Sequence, residues 1–255
     1  MFSGTDAGHN PQYSFMPILV AANLSKTYWG GQEPVRAVRA VSLEVQAGEF
    51  LAVMGPSGCG KSTLLHLFGG MDRASEGLLE FEGQSMMSMK DDQLTNLRRN
   101  RIGFVFQFFN LLPTLTAIEN VALPLRLAGI DSPLANGRAG SWLERVGMTA
   151  RRQHFPHQLS GGEMQRVAIA RAVVHSPSLI LADEPTGNLD SSSGASILEL
   201  LSDLNRKTGI TMILATHSSE VAKISDRIIH VRDGSVERIE QGINRRSETV
   251  VPGLP

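Results

Sequence analysis

The chain has 255 residues, of which 42% are hydrophobic and 19% are charged, and its formal net charge is −1. These values are typical of a globular protein and argue against a disordered chain or an overall basic surface that attracts nucleic acid or anionic lipid. The single cysteine, Cys59, cannot form an internal disulfide, and no apolar run reaches the roughly 18 residues that a membrane span requires. We therefore expect a protein of the reducing cytosol without a signal peptide.

Strand and helix patterns fill the region between two terminal segments. Residues 1–16 are rich in small and polar side chains and are interpreted as a flexible tail, as are residues 241–255. Strands separated by helical patterns are typical of an α/β core. Apolar or alternating runs predict strands at residues 18–22, 41–45, 50–54, 179–182 and 210–215, and a terminal hairpin at 227–232 and 235–239.

A largely helical segment, at about residues 88–165, separates the first strands from the last ones. Ser88 resembles a helix cap, and Thr116 with Glu119 forms a capping box ahead of a further helix. We therefore predict one domain at residues 17–240, in which a helical subdomain is inserted into an α/β core.

Residues 55–62 read GPSGCGKS and follow the apolar strand predicted at 50–54. The string fits G-x-x-x-x-G-K-[ST], in which glycines allow backbone N–H groups and a helix N-terminus to surround phosphates. Lys61 would contact the β and γ phosphates of ATP, and Ser62 would bind Mg²⁺. Cys59 either contributes only its backbone or carries a redox-sensitive thiol. The predicted nucleotide contacts are Gly55, Pro56, Ser57, Gly58, Cys59, Gly60, Lys61, Ser62 and Thr63.

Two acidic residues end another apolar strand, because Asp183 and Glu184 directly follow Leu179–Ala182. An acid at the carboxyl end of a buried strand lies at the mouth of the nucleotide crevice in α/β folds. Asp183 would hold Mg²⁺ through water, and Glu184 would polarise the attacking water as a general base. A solvated strand end is the alternative. A P-loop kinase does not need a second acidic residue positioned to activate water. The presence of both acids therefore favours ATP hydrolysis.

Residues 159–163 read LSGGE, the most specific string in the chain. The Ser160 side chain can cap the start of a helix, and the Glu163 side chain can reach back to the Ser160 backbone N–H. Gly161 and Gly162 leave the entrance of this helix without side chains, so an anion can approach its N–H groups. A helix that needed only a cap would not require two glycines there.

The LSGGE string beside a phosphate loop resembles the signature of ABC ATPases, and the resemblance covers roughly residues 17 to 240. It implies a P-loop NTPase (RecA-like) core with an antiparallel β subdomain and an inserted α-helical subdomain. It further implies a homodimer that holds two molecules of ATP with Mg²⁺ between its chains. In that arrangement Ser160, Gly161 and Gly162 face the γ-phosphate that the other subunit binds.

Other positions match the family by their order along the chain. Gln107 resembles the loop glutamine that touches Mg²⁺ and water, and His217 resembles the histidine that contacts the γ-phosphate. Asp190 resembles the aspartate of the loop that communicates across the dimer. Tyr28 resembles the aromatic residue that stacks on adenine, although Trp29 could take that place. Two positions depart from the commonest pattern without removing a catalytic atom: Met164 and Ser218.

The segment Gln107–Pro113 is unusually apolar for a loop. Its residues form either the core of the helical subdomain or a docking groove for a partner. In ABC transporters this region receives a coupling helix, and the wider string resembles the ATPases of lipoprotein release and macrolide export. The resemblance implies a peripheral ATPase on the cytoplasmic side of the inner membrane, which powers an integral membrane permease through ATP-driven dimerisation.

Two other functions remain open from the sequence. The same branch contains a cell-division relative, which suggests a regulatory ATPase that gates a membrane signalling complex without transport. A soluble ABC protein that acts on DNA or ribosomes is the second. Such proteins usually have two cassettes, long coiled coils or basic extensions, whereas this chain has one cassette and a net charge of −1. We therefore expect no nucleic-acid partner.

Overall fold

The computed structural model describes residues 17–30 and 33–243 of the chain. The tail predicted at residues 1–16 lies outside these ranges, as do residues 244–255 of the predicted C-terminal tail. Within the described ranges the chain forms a six-stranded sheet and a four-stranded sheet, with α-helices packed against them.

The six-stranded core sheet consists of β3 (Phe50–Met54), β6 (Ile102–Phe106), β7 (Leu179–Asp183), β8 (Thr211–Thr216), β9 (Arg227–Arg232) and β10 (Ser235–Gln241). Its order is β10–β9–β3–β8–β7–β6, with all neighbours parallel except the β9–β10 hairpin. The strands predicted at 50–54 and 179–182 and the terminal hairpin are therefore confirmed. Because the strands are parallel, the segments that follow β3, β7 and β8 meet at one edge of the sheet.

Strand β3 has buried side chains on both faces, which explains its uninterrupted apolar sequence. Leu51 and Val53 belong to the core on one side of the sheet, together with α1 (Lys61–Phe68). Phe50 and Ala52 belong to the core on the other side. The strand that precedes the phosphate loop is thereby held from both directions.

The four-stranded antiparallel sheet covers the first of these two cores. It consists of β1 (Pro17–Tyr28), β2 (Val35–Gln46), β4 (Glu76–Phe81) and β5 (Gln84–Ser85), in the order β2–β1–β4–β5. Leu19, Leu24 and Phe81 of this sheet are buried against residues of β3 and α1. The sheet is the predicted antiparallel β subdomain, and it extends the strands predicted at 18–22 and 41–45 in both directions.

The remaining helices are α2 (Asp91–Arg101), α3 (Ala117–Leu127), α4 (Ser132–Arg145), α5 (Gly161–Val173) and α6 (Ser191–Thr208). Helices α3, α4 and α5 share a third core that includes Val121, Leu143 and Val167. At the start of α3 the Glu119 carboxylate accepts hydrogen bonds from the Thr116 N–H (2.9 Å) and hydroxyl (2.7 Å). In the described part of the chain, no helix has the length and apolarity needed to cross a bilayer.

Two sequence predictions about the helical insertion are corrected. Strand β6 falls inside the predicted helical interval 88–165 yet pairs with β7 in the core sheet, so the helices of the insertion follow β6. The apolar run of β6 is short and lies between helical patterns, so its sequence does not distinguish a buried parallel strand from part of a helix. Ser88 does not cap α2, because the cap position is Lys90 and the Ser88 hydroxyl donates to the carbonyl oxygen of Ser85 over 3.2 Å.

We predict that Gly103→Ala destabilises the protein by about 1–3 kcal/mol through overpacking. Gly103 lies in β6 beneath α5, and an added Cβ would overlap the carbonyl oxygen of Ala172. The matched control is Gly137→Ala in α4, where an added Cβ meets no atom within 4 Å. That control should stabilise by about 0.5–1 kcal/mol, because alanine favours helix. Urea unfolding measures both variants, and equal effects would contradict this account of the α5–β6 contact.

Candidate active site

The loop between β3 and α1 forms a cradle of backbone groups. Gly60 has a φ of +103°, and a Cβ at this position would overlap the carbonyl oxygen of Ala37. A Cβ at Gly55 would likewise overlap the carbonyl oxygen of Val231. Helix α1 has no side-chain cap and no acidic residue in its first turn, so its positive end is available to an anion. The loop therefore has the backbone shape that a bound phosphate requires.

Lys61 lies at the start of α1 and is buried. Its Nζ donates to the carbonyl oxygens of Gly55 (2.9 Å) and Pro56 (3.0 Å) and lies 3.7 Å from Oε1 of Glu184. These groups compensate the buried ammonium. Beside it is a cavity of about 560 Å³, whose lining includes Gly58, Gly60, Lys61, Ser62, Thr63 and, from β2, Arg36 and Arg39. A polyanion that enters this cavity would meet three cationic side chains and one carboxylate, that of Asp233, so cationic groups predominate.

The hydroxyl of Ser62 and the carboxylate of Asp183 meet at the edge of the core sheet. Ser62 Oγ donates to Asp183 Oδ1 over 3.0 Å, although 121 positions separate the two residues along the chain. Asp183 ends β7, and Ser62 is the second residue of α1. Both side chains offer the hard oxygen ligands that Mg²⁺ prefers, and Mg²⁺ sites commonly combine one or two carboxylates with substrate phosphates. This donor set fits the predicted ion.

Glu184 and His217 are adjacent because they follow neighbouring parallel strands. Asp183 of β7 pairs with Ala215 of β8, and the Glu184 N–H donates to the Ala215 carbonyl oxygen over 2.9 Å. His217 Nδ1 lies 2.9 Å from Oε2 of Glu184. Glu184 has a φ of +45°, a conformation that costs a residue with a side chain on the order of 1–3 kcal/mol. The fold thus holds this carboxylate in a strained backbone position between His217 and Lys61.

Gln107 follows β6 and is joined to the loop that follows Glu184. Its Nε2 donates to Asn188 Oδ1 (3.2 Å), and Asn188 Nδ2 donates to the carbonyl oxygen of Gln107 (3.1 Å). Gly187 packs against the same side chain, because a Cβ there would lie 2.9 Å from Gln107 Nε2. These contacts hold Gln107 near the carboxyl ends of β6 and β7.

The predicted reciprocal cap at the start of α5 is present. Glu163 N–H donates to Ser160 Oγ (3.3 Å), and the Ser160 N–H donates to a Glu163 carboxylate oxygen (2.8 Å). The hydrogen bond from the Ser160 backbone lowers the pKa of Glu163. Gly161 and Gly162 open α5, and Gly161 faces Leu189. The three residues Ser160–Gly162 do not line the cavity of the phosphate loop in the same chain.

Asp190 caps α6. Its Oδ1 accepts from the Ser192 N–H (3.1 Å), the Ser193 N–H (2.9 Å) and the Ser192 hydroxyl (2.6 Å). Hydrogen bonds from the side chains of Ser192 and Ser193 hold the pKa of Asp190 far below its ordinary range. Within this chain the residue therefore has a structural role, which the sequence reading did not foresee.

Tyr28 lies beside the start of α1. Its hydroxyl donates to Asp72 Oδ2 (2.8 Å) and lies near the Thr63 side chain, and Lys26 Nζ lies 4.8 Å from the centre of its ring. Burial, followed by the hydrogen bond to Asp72, raises the pKa of Tyr28, so the hydroxyl stays protonated. The ring is 40% exposed, whereas Trp29 is 81% exposed. Tyr28 is the better anchored of the two aromatic side chains.

The thiol of Cys59 is buried in the core formed with α1, and it packs against Gly55. The Gly234 N–H donates to the carbonyl oxygen of Cys59 over 3.0 Å. Redox-sensitive thiols are accessible to solvent, so this burial favours the interpretation in which Cys59 contributes backbone and packing.

The family model described as ABC transporter matches residues 38–187. The lipoprotein-releasing system ATP-binding protein LolD of Legionella pneumophila is 43% identical over 219 residues, which cover 86% of this chain and 96% of LolD. The macrolide export ATP-binding/permease protein MacB of Syntrophobacter fumaroxidans is 46% identical over 224 residues, which cover 87% of this chain and 31% of MacB.

A solved structure also matches. It is the ATP-binding cassette MJ0796 of Methanocaldococcus jannaschii, described as a dimer in a post-hydrolysis state bound to ADP and phosphate. It is 44% identical with a TM-score of 0.82, over 88% of this chain and 98% of that one.

The chain belongs to the ABC transporter family of ATP-binding proteins. The predicted P-loop NTPase fold and the predicted branch of the family are confirmed by these matches. This ABC ATPase brings Lys61, Ser62, Asp183, Glu184 and His217 together at one edge of the core sheet, where Ser62 contacts Asp183 and Glu184 contacts both Lys61 and His217. Gln107 joins the same edge through Asn188, whereas no hydrogen bond among the described residues joins Ser160–Gly162 or Asp190 to the phosphate loop.

Two side chains of the site region were missed by sequence reasoning. Asn188 holds Gln107, and Asp72 anchors Tyr28. Asn188 lies in the quoted string Asn188-Leu189-Asp190, but its amide could not be assigned a partner 81 positions away. Asp72 lies in a stretch without a recognisable motif. Both depend on contacts between segments that are distant along the chain.

We predict that Gly60→Ala abolishes ATP binding by this ABC ATPase, because a Cβ would overlap the Ala37 carbonyl and the φ of +103° suits only glycine. The control is Gly83→Ala, which has a similarly unfavourable φ of +73° but open space around it, in a turn away from the cavity. Binding of a fluorescent ATP analogue measures both. Equal loss of affinity in the two variants would show that backbone strain alone, and not the cradle, was responsible.

Proposed function

We propose that this ABC ATPase hydrolyses MgATP with Glu184 as the general base, and that two chains close around the nucleotides to drive a membrane permease. The observation that carries the proposal is the position of the Glu184 carboxylate, 2.9 Å from His217 and 3.7 Å from Lys61. A carboxylate held by a strained backbone between two nitrogen donors, beside a phosphate cradle, suits activation of a water molecule.

In the proposed reaction, Glu184 orients a water molecule for in-line attack on the γ-phosphoryl group and accepts its proton. Lys61 exchanges the carbonyl oxygens of Gly55 and Pro56 for the β and γ phosphate oxygens. His217 donates a hydrogen bond to the γ-phosphate. Preorganised donors of this kind stabilise the charge that spreads over the phosphoryl oxygens in the transition state.

The proposed Mg²⁺ ligands are Ser62, Asp183 and Gln107, the first two being 3.0 Å apart. When bound, Mg²⁺ neutralises charge on the β and γ phosphates. The Asp183 carboxylate is kept in place by the end of β7, and the Gln107 amide is kept in place by Asn188. The nucleotide-binding set is completed by Tyr28, for adenine, and by the residues of the phosphate loop.

Dimerisation is supported by two observations. Gly161 and Gly162 leave the entrance of α5 without side chains, but Ser160–Gly162 do not line the cavity of the phosphate loop in their own chain. The M. jannaschii relative, at 44% identity, is described as a dimer. We infer that the start of α5 contacts the γ-phosphate bound by the partner subunit, with Asp190 near the same interface. Hydrolysis would remove this contact and open the dimer.

The permease would dock on the loop after Gln107. Phe108 is 71% exposed and Leu112 is 43% exposed, so the loop presents apolar surface that residues 17–30 and 33–243 do not cover. LolD is named for lipoprotein release, and MacB for macrolide export and for a permease part. We infer a related role for this chain, as a peripheral ATPase on the cytoplasmic side of the inner membrane.

Glu184→Gln should lower kcat for ATP hydrolysis by about 10²–10⁴-fold while ATP binding is retained, because the amide cannot accept the proton. Nucleotide-bound dimer should accumulate and be visible by size-exclusion chromatography with light scattering. The control is Glu144→Gln, an exposed position on α4, which should hydrolyse ATP at the wild-type rate. A Glu184→Gln protein that turns over normally would remove Glu184 from the role of base.

Phe108→Asp should abolish recovery of the permease without impairing ATP binding, because the charge disrupts an apolar contact. The bait is tagged Glu184→Gln protein with MgATP and detergent-solubilised membranes, and mass spectrometry identifies the recovered proteins. Ile239→Asp is the control, since Ile239 is 50% exposed on the edge strand β10. Recovery of a permease by both variants would place the docking surface elsewhere, and recovery of a signalling complex without cargo flux would favour the regulatory alternative.

A further inference from the structure

The loop that carries Phe108 has an unusual backbone. Phe109 and Asn110 are consecutive residues with φ values of +62° and +49°. Asparagine tolerates this left-handed region, but a bulky residue such as phenylalanine rarely adopts it. The Phe109 N–H donates to the carbonyl oxygen of Phe106 (3.2 Å), and the Asn110 N–H donates to that of Phe108 (2.6 Å). The surrounding structure must therefore hold this conformation in place.

Arg171 donates hydrogen bonds to both of these residues from outside the loop. Its Nη1 donates to the carbonyl oxygen of Asn110 (2.5 Å), and its Nη2 donates to that of Phe109 (2.8 Å). No carboxylate of the described residues lies within ion-pairing distance of this guanidinium. Burial lowers the pKa of Arg171 to about 10, so the side chain is still a cation at neutral pH. A partly desolvated cation therefore uses the carbonyl groups of Phe109 and Asn110 as its compensation.

The same helix carries the LSGGE signature at its other end. Helix α5 begins at Gly161, after the Ser160 cap, and Arg171 lies ten positions later. At 1.5 Å per residue the two points are about 15 Å apart on one rigid helix. The start of the Arg171-bound loop is in turn joined to Asn188 through Gln107. A displacement of α5 would thus be transmitted directly to the backbone that positions Gln107.

We propose that Arg171 is a positioning residue that couples the signature helix to Gln107, so that the Gln107 amide reaches its catalytic position only when α5 does. This inference rests on the proposed role of Gln107 in the ATPase site. Arg171 itself touches no nucleotide in the proposal. It acts through two carbonyl groups of the loop, and its removal should impair hydrolysis more than it impairs ATP binding.

A double-mutant cycle between Arg171 and Gln107 tests the coupling. Arg171→Met should lower kcat about tenfold with KM for ATP changed by less than about twofold, because a lost transition-state contact lowers kcat. In a Gln107→Ala background the same substitution should change kcat by less than about twofold, because residues that act through one another are not additive. Arg171→Lys keeps the cation and should recover most of the rate.

Arg166 provides the matched control on the same helix. It also donates to a backbone carbonyl oxygen, that of Val146 (2.9 Å), and to Ser196 Oγ (2.7 Å), but it does not contact the loop. Arg166→Met should change kcat by the same factor in both backgrounds. Thermal melting and binding of an ATP analogue verify that each variant is folded. If Arg171→Met does not fold, the cycle is measured with Arg171→Lys, which should lose about twofold to threefold, and only when Gln107 is present.

The outcomes separate this inference from the proposed function. If Arg171→Met lowers kcat by the same factor in the wild-type and Gln107→Ala backgrounds, the coupling is wrong. The ATPase assignment would still stand in that case, because Gln107→Ala alone lowers kcat. A raised KM with unchanged kcat would also overturn it, because that pattern indicates a role in nucleotide binding. If Gln107→Ala has no effect, both the catalytic role of Gln107 and the coupling through it are wrong. If Glu184→Gln has no effect either, the proposed function itself fails.

Discussion

The parallel register of β3, β8 and β7 is the constraint on which the active site depends. Met54 pairs with Thr216, and Asp183 pairs with Ala215, so the phosphate loop, His217 and Glu184 begin at the same edge of the sheet. Neighbouring strands are about 4.8 Å apart, which brings groups from three distant segments within hydrogen-bonding distance. A shift by one residue would turn these side chains to the opposite faces of the sheet. The alternating contacts of β3 with two separate cores oppose such a shift.

Lys61, which is buried, and Arg171, which is partly buried, hold the loops at this edge in a similar way. Lys61 and Arg171 each donate to two backbone carbonyl oxygens of a loop, at Gly55 and Pro56 in one case and within the Gln107–Pro113 segment in the other. The difference lies in their surroundings. Lys61 lines a cavity and can exchange its carbonyl partners for phosphate oxygens, whereas Arg171 extends from α5 to the carbonyl groups of the loop. One contact is suited to a ligand, and the other is suited to the transmission of movement.

Sequence reasoning succeeded where a function depends on contiguous residues. The phosphate loop, the Ser160–Glu163 cap and the strand before Asp183 are local patterns, and the structure contains all three. It failed for β6, because five apolar residues between helical patterns do not distinguish a core strand from part of a helix. It also overlooked Asn188, whose partner Gln107 lies on another strand end.

The sequence by itself determined the family, the phosphate cradle and the identity of the acidic pair, because each is written in residues that are adjacent along the chain. Tertiary structure alone decided which groups meet. Glu184 contacts His217, which lies 33 positions away along the chain. Asn188 bonds to Gln107 across 81 positions, and Arg171 bonds to Asn110 across about 61 positions. Such contacts depend on strand order and helix packing, and single-sequence patterns carry no information about either.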